Sequence, residues 1–142
     1  MTHNVHNIIE DVFIDTNYKL SNCDVIDTVF SGSTCVSLIY TPEKVICANV
    51  GDSRAVLGRC INGEWVSHNL SRDHKPSDKD EFTRINKRGG RVEPLKEDDG
   101  EFVGPMRVWL KEDDIPGLAM SRSFGDRVAA SVGVLAEPGR LY

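Results

Sequence analysis

Residues Ala48 to Gly58 read ANVGDSRAVLG: an apolar run, a glycine turn and a second apolar run. A turn needs glycine or a small polar residue. This one also holds an acid, a hydroxyl and a base in succession, at Asp52, Ser53 and Arg54. Three readings of those residues are open. Ser53 can be a nucleophile. Asp52, rigidly held at a strand end, can be a ligand for a hard cation such as Mg²⁺ or Mn²⁺, which prefer oxygen. Or the stretch is an ordinary hairpin turn, in which Asp52 and Ser53 accept backbone N–H groups and Arg54 pairs with a neighbouring acid.

Working outward, TCVSLIY (Thr34 to Tyr40) alternates as a strand does, and TPEK turns the chain with Pro42 in second place. VICANV (Val45 to Val50) is nearly all apolar, as a strand buried on both faces would be. Asn62-Gly63 between RAVLGRCI and EWVSHNL is a strong hairpin signal. Residues 34 to 70 therefore read as an antiparallel meander. Before it, Val5, Ile8, Ile9, Val12 and Phe13 mark one face of a helix that fades in DTNYKLSNCD. After it, Ser77 or Asp78 caps a short helix that turns Phe82 and Ile85 inward and stops at Gly89-Gly90. RVEPLKEDDGEFVGP reads as an exposed, charged excursion, and MRVWL and GLAMS as strands. One helix followed by antiparallel strands and a loop-rich segment is an α+β chain.

Composition narrows the function. A chain of 142 residues builds one core. With 39% hydrophobic and 27% charged residues, disorder is not the default. A formal charge of −5 argues against nucleic acid held through phosphates. No apolar run is long enough to cross a bilayer, which predicts no membrane association. The start, MTHNVHNIIEDVF, predicts no secretory signal, and Thr2 stands where myristoylation needs glycine. Cys23, Cys35, Cys47 and Cys60 form no C-x-x-C pair, which suits free thiols in the cytoplasm or nucleus.

The nucleophile reading needs a base oriented by an acid. GDSL-type esterases supply the pair as D-x-x-H, which is absent here; the histidines are His3, His6, His68 and His74. The remaining choice turns on the surrounding blocks. SGSTC (Ser31 to Cys35) precedes NVGDSRAV. LSRDHKPSD (Leu70 to Asp78), EFTRINKRGGRV (Glu81 to Val92), PGLAMSRSFGD (Pro116 to Asp126) and VGVLAEP (Val132 to Pro138) follow. In this order and spacing the set resembles the protein phosphatase 2C family, the metal-dependent Ser/Thr phosphatases.

The resemblance implies an αββα sandwich of two antiparallel sheets between helices. It implies Mg²⁺ or Mn²⁺ as cofactor, and phosphoserine or phosphothreonine in a phosphoprotein as substrate. It divides residues 1–142, a single partial domain, into helix and loop (1–30), β-meander (31–76), flap-like segment (77–116) and returning strand with tail (117–142). Asp52 alone maps onto a metal role, at a third, weaker ion, and no residue maps onto a catalytic one. The family's Asp-Gly-His-Gly-Gly-like block, its later Asp-Gly and its final Asp-Asn have no counterpart, and Asp99-Gly100 lacks the following histidine. The expectation is an internal stretch of a phosphatase that lacks both ends of the catalytic domain, inactive by itself, with strand edges open to a homodimer. The alternative is a non-catalytic binding or regulatory module that keeps the phosphatase core.

Smaller features read plainly. Trp109 is a half-buried strand tryptophan, and Asp98-Asp99 and Asp113-Asp114 are solvated loop acids. Asp73 and His74, adjacent in an extended chain, point apart. Arg54 and Arg122 serve as charge partners.

Overall fold

The apolar stripe at the N-terminus does form a helix. In the computed structural model, which describes residues 5–139, α1 spans Val5–Ser21. It runs beyond the stripe, and there Asp15 and Lys19 pair at i, i+4 (2.6 Å) with the acid nearer the N-terminus, the favourable order. Ile9 and Phe13 are buried, whereas Val5, Ile8 and Val12 remain exposed.

Strands β1 (Gly32–Ser33), β2 (Cys35–Tyr40) and β3 (Val45–Val50) follow. β2 and β3 pair in register from Cys35↔Val50 to Tyr40↔Val45. Every residue of β3 from Ile46 to Val50 is buried, as its unbroken apolar run requires. Ile46, Ala48 and Val50 form the first core with Ile9 and Phe13 of α1, and Phe13 meets Phe124 at 5.5 Å between ring centroids.

β4 (Val56–Ile61) and β5 (Glu64–Asn69) form the expected Asn-Gly hairpin, with Asn62 at φ 54° and Gly63 at φ 86°. The meander is not continuous, however. β3 and β4 belong to separate two-stranded sheets, so residues 51–55 cross between sheets instead of closing a hairpin. Among the described residues, β3 pairs only with β2, and β4 only with β5.

Helix α2 spans Lys79–Lys87. Asp78 takes the cap position, but its carboxylate goes to Arg72 (2.6 Å) and leaves the helix N–H groups uncapped by a side chain. Ile85 is fully buried as expected, but Phe82 is 41% exposed and Glu81 takes its place inside at 1%. Gly89 (φ 82°) ends the helix. The charged stretch from Arg91 is a hairpin: β6 (Arg91–Lys96) pairs with β7 (Phe102–Trp109) across a turn in which the Gly100 N–H donates to the Glu97 carbonyl (2.9 Å). β8 (Pro116–Leu118) adds a third strand to that sheet, shorter than GLAMS suggested. β9 (Phe124–Gly125) returns to pair with β1, and α3 (Arg127–Ala130) closes the order. A second core gathers Ile85, Val108, Ala129, Val132 and Val134. The chain is thus α+β with small antiparallel sheets, as the sequence predicts.

Candidate functional site

The crossing from β3 to β4 carries the acid, the hydroxyl and the base, and each meets a different distant residue. Asp52 Oδ2 accepts from Lys75 Nζ at 2.5 Å. Ser53 Oγ and Thr34 Oγ1 share a hydrogen bond of 2.8 Å. Arg54 donates in parallel to both oxygens of Asp73, at 2.8 and 2.9 Å. The fork geometry suits a guanidinium and a carboxylate. Three residue types in a row thus tie the SGST block and the DHK block to one strand end. Gly51 permits this: at φ 96° it occupies the left-handed region, and a Cβ there would meet Thr34 Cγ2 at 2.4 Å.

Behind this turn stands His74, 3% exposed. Its ring Nδ1 accepts from the Gly51 N–H (3.2 Å), and the His74 backbone N–H donates to the Gly51 carbonyl (3.0 Å). The imidazole pKa falls to about 4, because burial disfavours the cation and Arg122 and Arg72 repel it, against the opposing pull of Glu81. A neutral ring is the form that can accept from Gly51. Asp73 and His74 do point apart, one to Arg54 and the other to Gly51.

The sequence reading missed a deeper hub. Glu81 accepts from Arg84 (2.6 and 2.7 Å), from Arg122 (2.7 Å at its shortest) and from the Ser121 hydroxyl (2.6 Å). Burial alone raises a carboxyl, but these donors outweigh it and hold Glu81 well below the usual range. Arg122 also donates to the carbonyls of Glu137 and Pro138. The Ser121 N–H donates to the His74 carbonyl (3.0 Å), which links the hub to the turn. The available signal was the i, i+3 spacing of Glu81 and Arg84 on the face that also carries Ile85.

A cleft of about 380 Å³ opens beside the hub, lined by Cys47, Asn49, Arg72, His74 and Arg122 among others. Both guanidiniums are engaged there, Arg72 by Asp78 and Asp80 and Arg122 by Glu81. Trp109 is buried and donates from Nε1 to the Glu93 carbonyl (2.9 Å). Asp114 pairs with Arg91 (2.6 Å), while its side chain remains 90% exposed.

Do these residues fit a metal centre? Among the described residues, no three His, Cys, Asp or Glu side chains converge as a metal ion would need. Asp52, the one sequence candidate, faces an ammonium. The residues present do not fit a binuclear Mg²⁺ or Mn²⁺ site.

A family model for protein phosphatase 2C matches residues 2–139. The chain belongs to the protein phosphatase 2C family. Its phosphatase 2C relatives include a probable protein phosphatase 2C 12 of rice, 45% identical over 114 residues, or 80% of this chain and 28% of that protein. A probable protein phosphatase 2C 61 of Arabidopsis thaliana is 44% identical over 121 residues, which cover 84% of this chain and 34% of the relative. The chain spans about a third of the length of these phosphatase 2C relatives. Among solved structures, a serine-threonine phosphatase 2C from Toxoplasma gondii superposes with a TM-score of 0.81 at 22% identity, over 97% of this chain and 46% of that one. A C. elegans sex-determining protein gives 0.71 at 21% identity, over 99% and 31%. At those identities the superpositions establish the fold.

Proposed function

We propose that this chain is the central part of a Mg²⁺- or Mn²⁺-dependent protein Ser/Thr phosphatase, whose substrates are phosphoserine and phosphothreonine in phosphoproteins. The family match over residues 2–139 carries the reading. In such an enzyme Mg²⁺ or Mn²⁺, held by residues other than those described here, would supply water activation and neutralisation of phosphoryl charge. This chain's own part is positional: Glu81, His74 and the Asp52–Ser53–Arg54 turn hold one strand end in place. By itself the chain hydrolyses nothing, because a lone carboxylate does not hold Mg²⁺ tightly. A phosphopeptide assay with millimolar Mn²⁺ is the test. The pure chain is expected to release no phosphate beyond an EDTA-treated control, while a full-length relative does. Metal-dependent turnover by the chain alone would overturn the reading.

A second reading, a non-catalytic binding or regulatory module on the phosphatase core, is favoured by the engagement of Asp52 with Lys75. Retained phosphopeptide affinity without turnover supports it. The same proposal places the protein in the cytoplasm or nucleus, in keeping with four free cysteines. It also includes a homodimer through strand edges, since β4 and β5 form an isolated two-stranded sheet with Val56, Trp65 and Val66 exposed. A monomer by light scattering at high concentration would contradict the dimer.

A further inference from the structure

The β6–β7 hairpin and the turn after it carry most of the molecule's charge imbalance. From Arg91 to Asp114 stand eight acids and four bases, a net −4 out of the chain's −5. Arg91 is engaged by Glu93 and Asp114, and Arg107 by the Gly117 carbonyl. At the hairpin turn, Glu97, Asp98, Asp99 and Glu101 pair with no cation among the described residues. Beside these acids lies a groove of about 390 Å³, lined by the buried Trp109 and the exposed Leu95 and Phe102. A second, more open hollow shares Leu95 and Lys96 with it and runs on to Glu97, Asp98 and Asp99. Apolar and acidic surfaces thus adjoin. Both rings also carry cations: the Arg91 guanidinium lies 5.9 Å from the Trp109 centroid, and Lys96 Nζ 6.0 Å from that of Phe102.

We propose that this hairpin is a docking site for a basic peptide segment of a partner protein. One apolar side chain of the peptide seats against Leu95, Phe102 and Trp109, and the arginines or lysines that follow it reach the acids of the turn. The aromatic groove supplies the anchor, and the unpaired carboxylates select the sign of charge. Strand addition, the other way a hairpin takes up a peptide, is blocked here. Pro94 stands in β6 and Pro105 in β7, neither with an N–H to offer, and the register slips between Glu93 and Leu95. Recognition therefore falls to side chains. The inference goes beyond the reading above, since docking at this surface needs neither metal nor phosphate.

The test is fluorescence anisotropy of a dye-labelled peptide, Gly-Leu-Arg-Arg-Arg-Gly, titrated with the pure chain at low salt. The expected Kd is about 100 μM, the scale of one anchor and a few exposed ion pairs. Glu97→Gln combined with Asp98→Asn, at side chains that hold no other described residue, is expected to weaken binding about fivefold. Phe102→Ser is expected to weaken it about tenfold. The matching peptide with three glutamates is expected not to bind, and added NaCl to loosen the basic one by screening. Equal affinity for the two peptides, an unchanged Kd in either variant, or no binding of the basic peptide up to about 1 mM overturns the proposal. Should Phe102→Ser fail to fold, the wild-type chain still decides by amide chemical shifts. The basic peptide is expected to move residues 95–102 and to leave the β4–β5 hairpin, residues 56–69, in place. Shifts centred on residues 56–69 overturn the proposal equally.

Discussion

Ser121 and Glu81 stand 40 residues apart in the chain and share a 2.6 Å hydrogen bond, with at most 1% of either residue exposed. That contact locates the mechanical centre of the molecule. Around it the EFTRI and SRS blocks converge on the Glu81 carboxylate, Arg122 carries the contact on to the AEP carbonyls, and a backbone hydrogen bond from Ser121 reaches His74 and the Asp52 turn.

Glu81→Gln is therefore expected to cost about 3 kcal/mol, since removing one partner of a buried ion cluster leaves the others uncompensated. Urea unfolding measures it. A loss below about 1 kcal/mol would mean that the two arginines find water or other acceptors readily.

His74 gives stability a pH dependence with a defined sign. Its pKa drops from about 6.5 to about 4 on folding, so the unfolded chain binds the extra proton. The stabilisation is complete above about pH 6.5 and drains away as pH falls toward 4. Thermal melts from pH 8 to 4 should show this slope, and His74→Gln should flatten it. A variant that keeps the wild-type slope would place the proton elsewhere.

Two glycines with similar backbone angles should respond differently to alanine. At Gly51 (φ 96°) a Cβ collides with Thr34, whereas at Gly63 (φ 86°) it meets nothing within 4 Å. Gly63→Ala is expected to cost about 1 kcal/mol, the conformational term alone. Gly51→Ala is expected to cost clearly more and to break the Thr34–Ser53 bond. Equal melting temperatures for the two variants would contradict the role given to Gly51.

The cysteines should separate by reactivity. Cys60 is exposed and Cys47 buried, and burial raises the Cys47 thiol further. Under native conditions a thiol reagent is expected to modify Cys60 rapidly and Cys47 only at the rate of unfolding. Mass spectrometry of labelled peptides reads both.

How far the sequence reached depended on the range of the interactions. Asn62-Gly63 set a hairpin locally, and the structure has it. Asp99-Gly100 carried a similar turn signal, but the surrounding charge made the segment read as loop. The pairing there comes from Arg107 and Trp109 meeting Glu93 and Arg91 across the hairpin. Glu81 was illegible because an acid on a helix is ordinarily solvated; what buries it is the arrival of Ser121 and Arg122 from 40 residues onward. The family blocks were legible as a set. The reason for the acid, hydroxyl and base at 52–54 was not, since Lys75, Thr34 and Asp73 become neighbours only in the folded chain.

The central claim is that Asp52 faces an ammonium, without the cage a divalent ion needs. Crystals of the chain grown with 1 mM Mn²⁺ and measured for anomalous scattering test it most directly. The account predicts Lys75 Nζ within about 3 Å of Asp52 and no Mn²⁺ peak bonded to that carboxylate. A Mn²⁺ ion directly coordinated by Asp52, with Lys75 turned away, would contradict it.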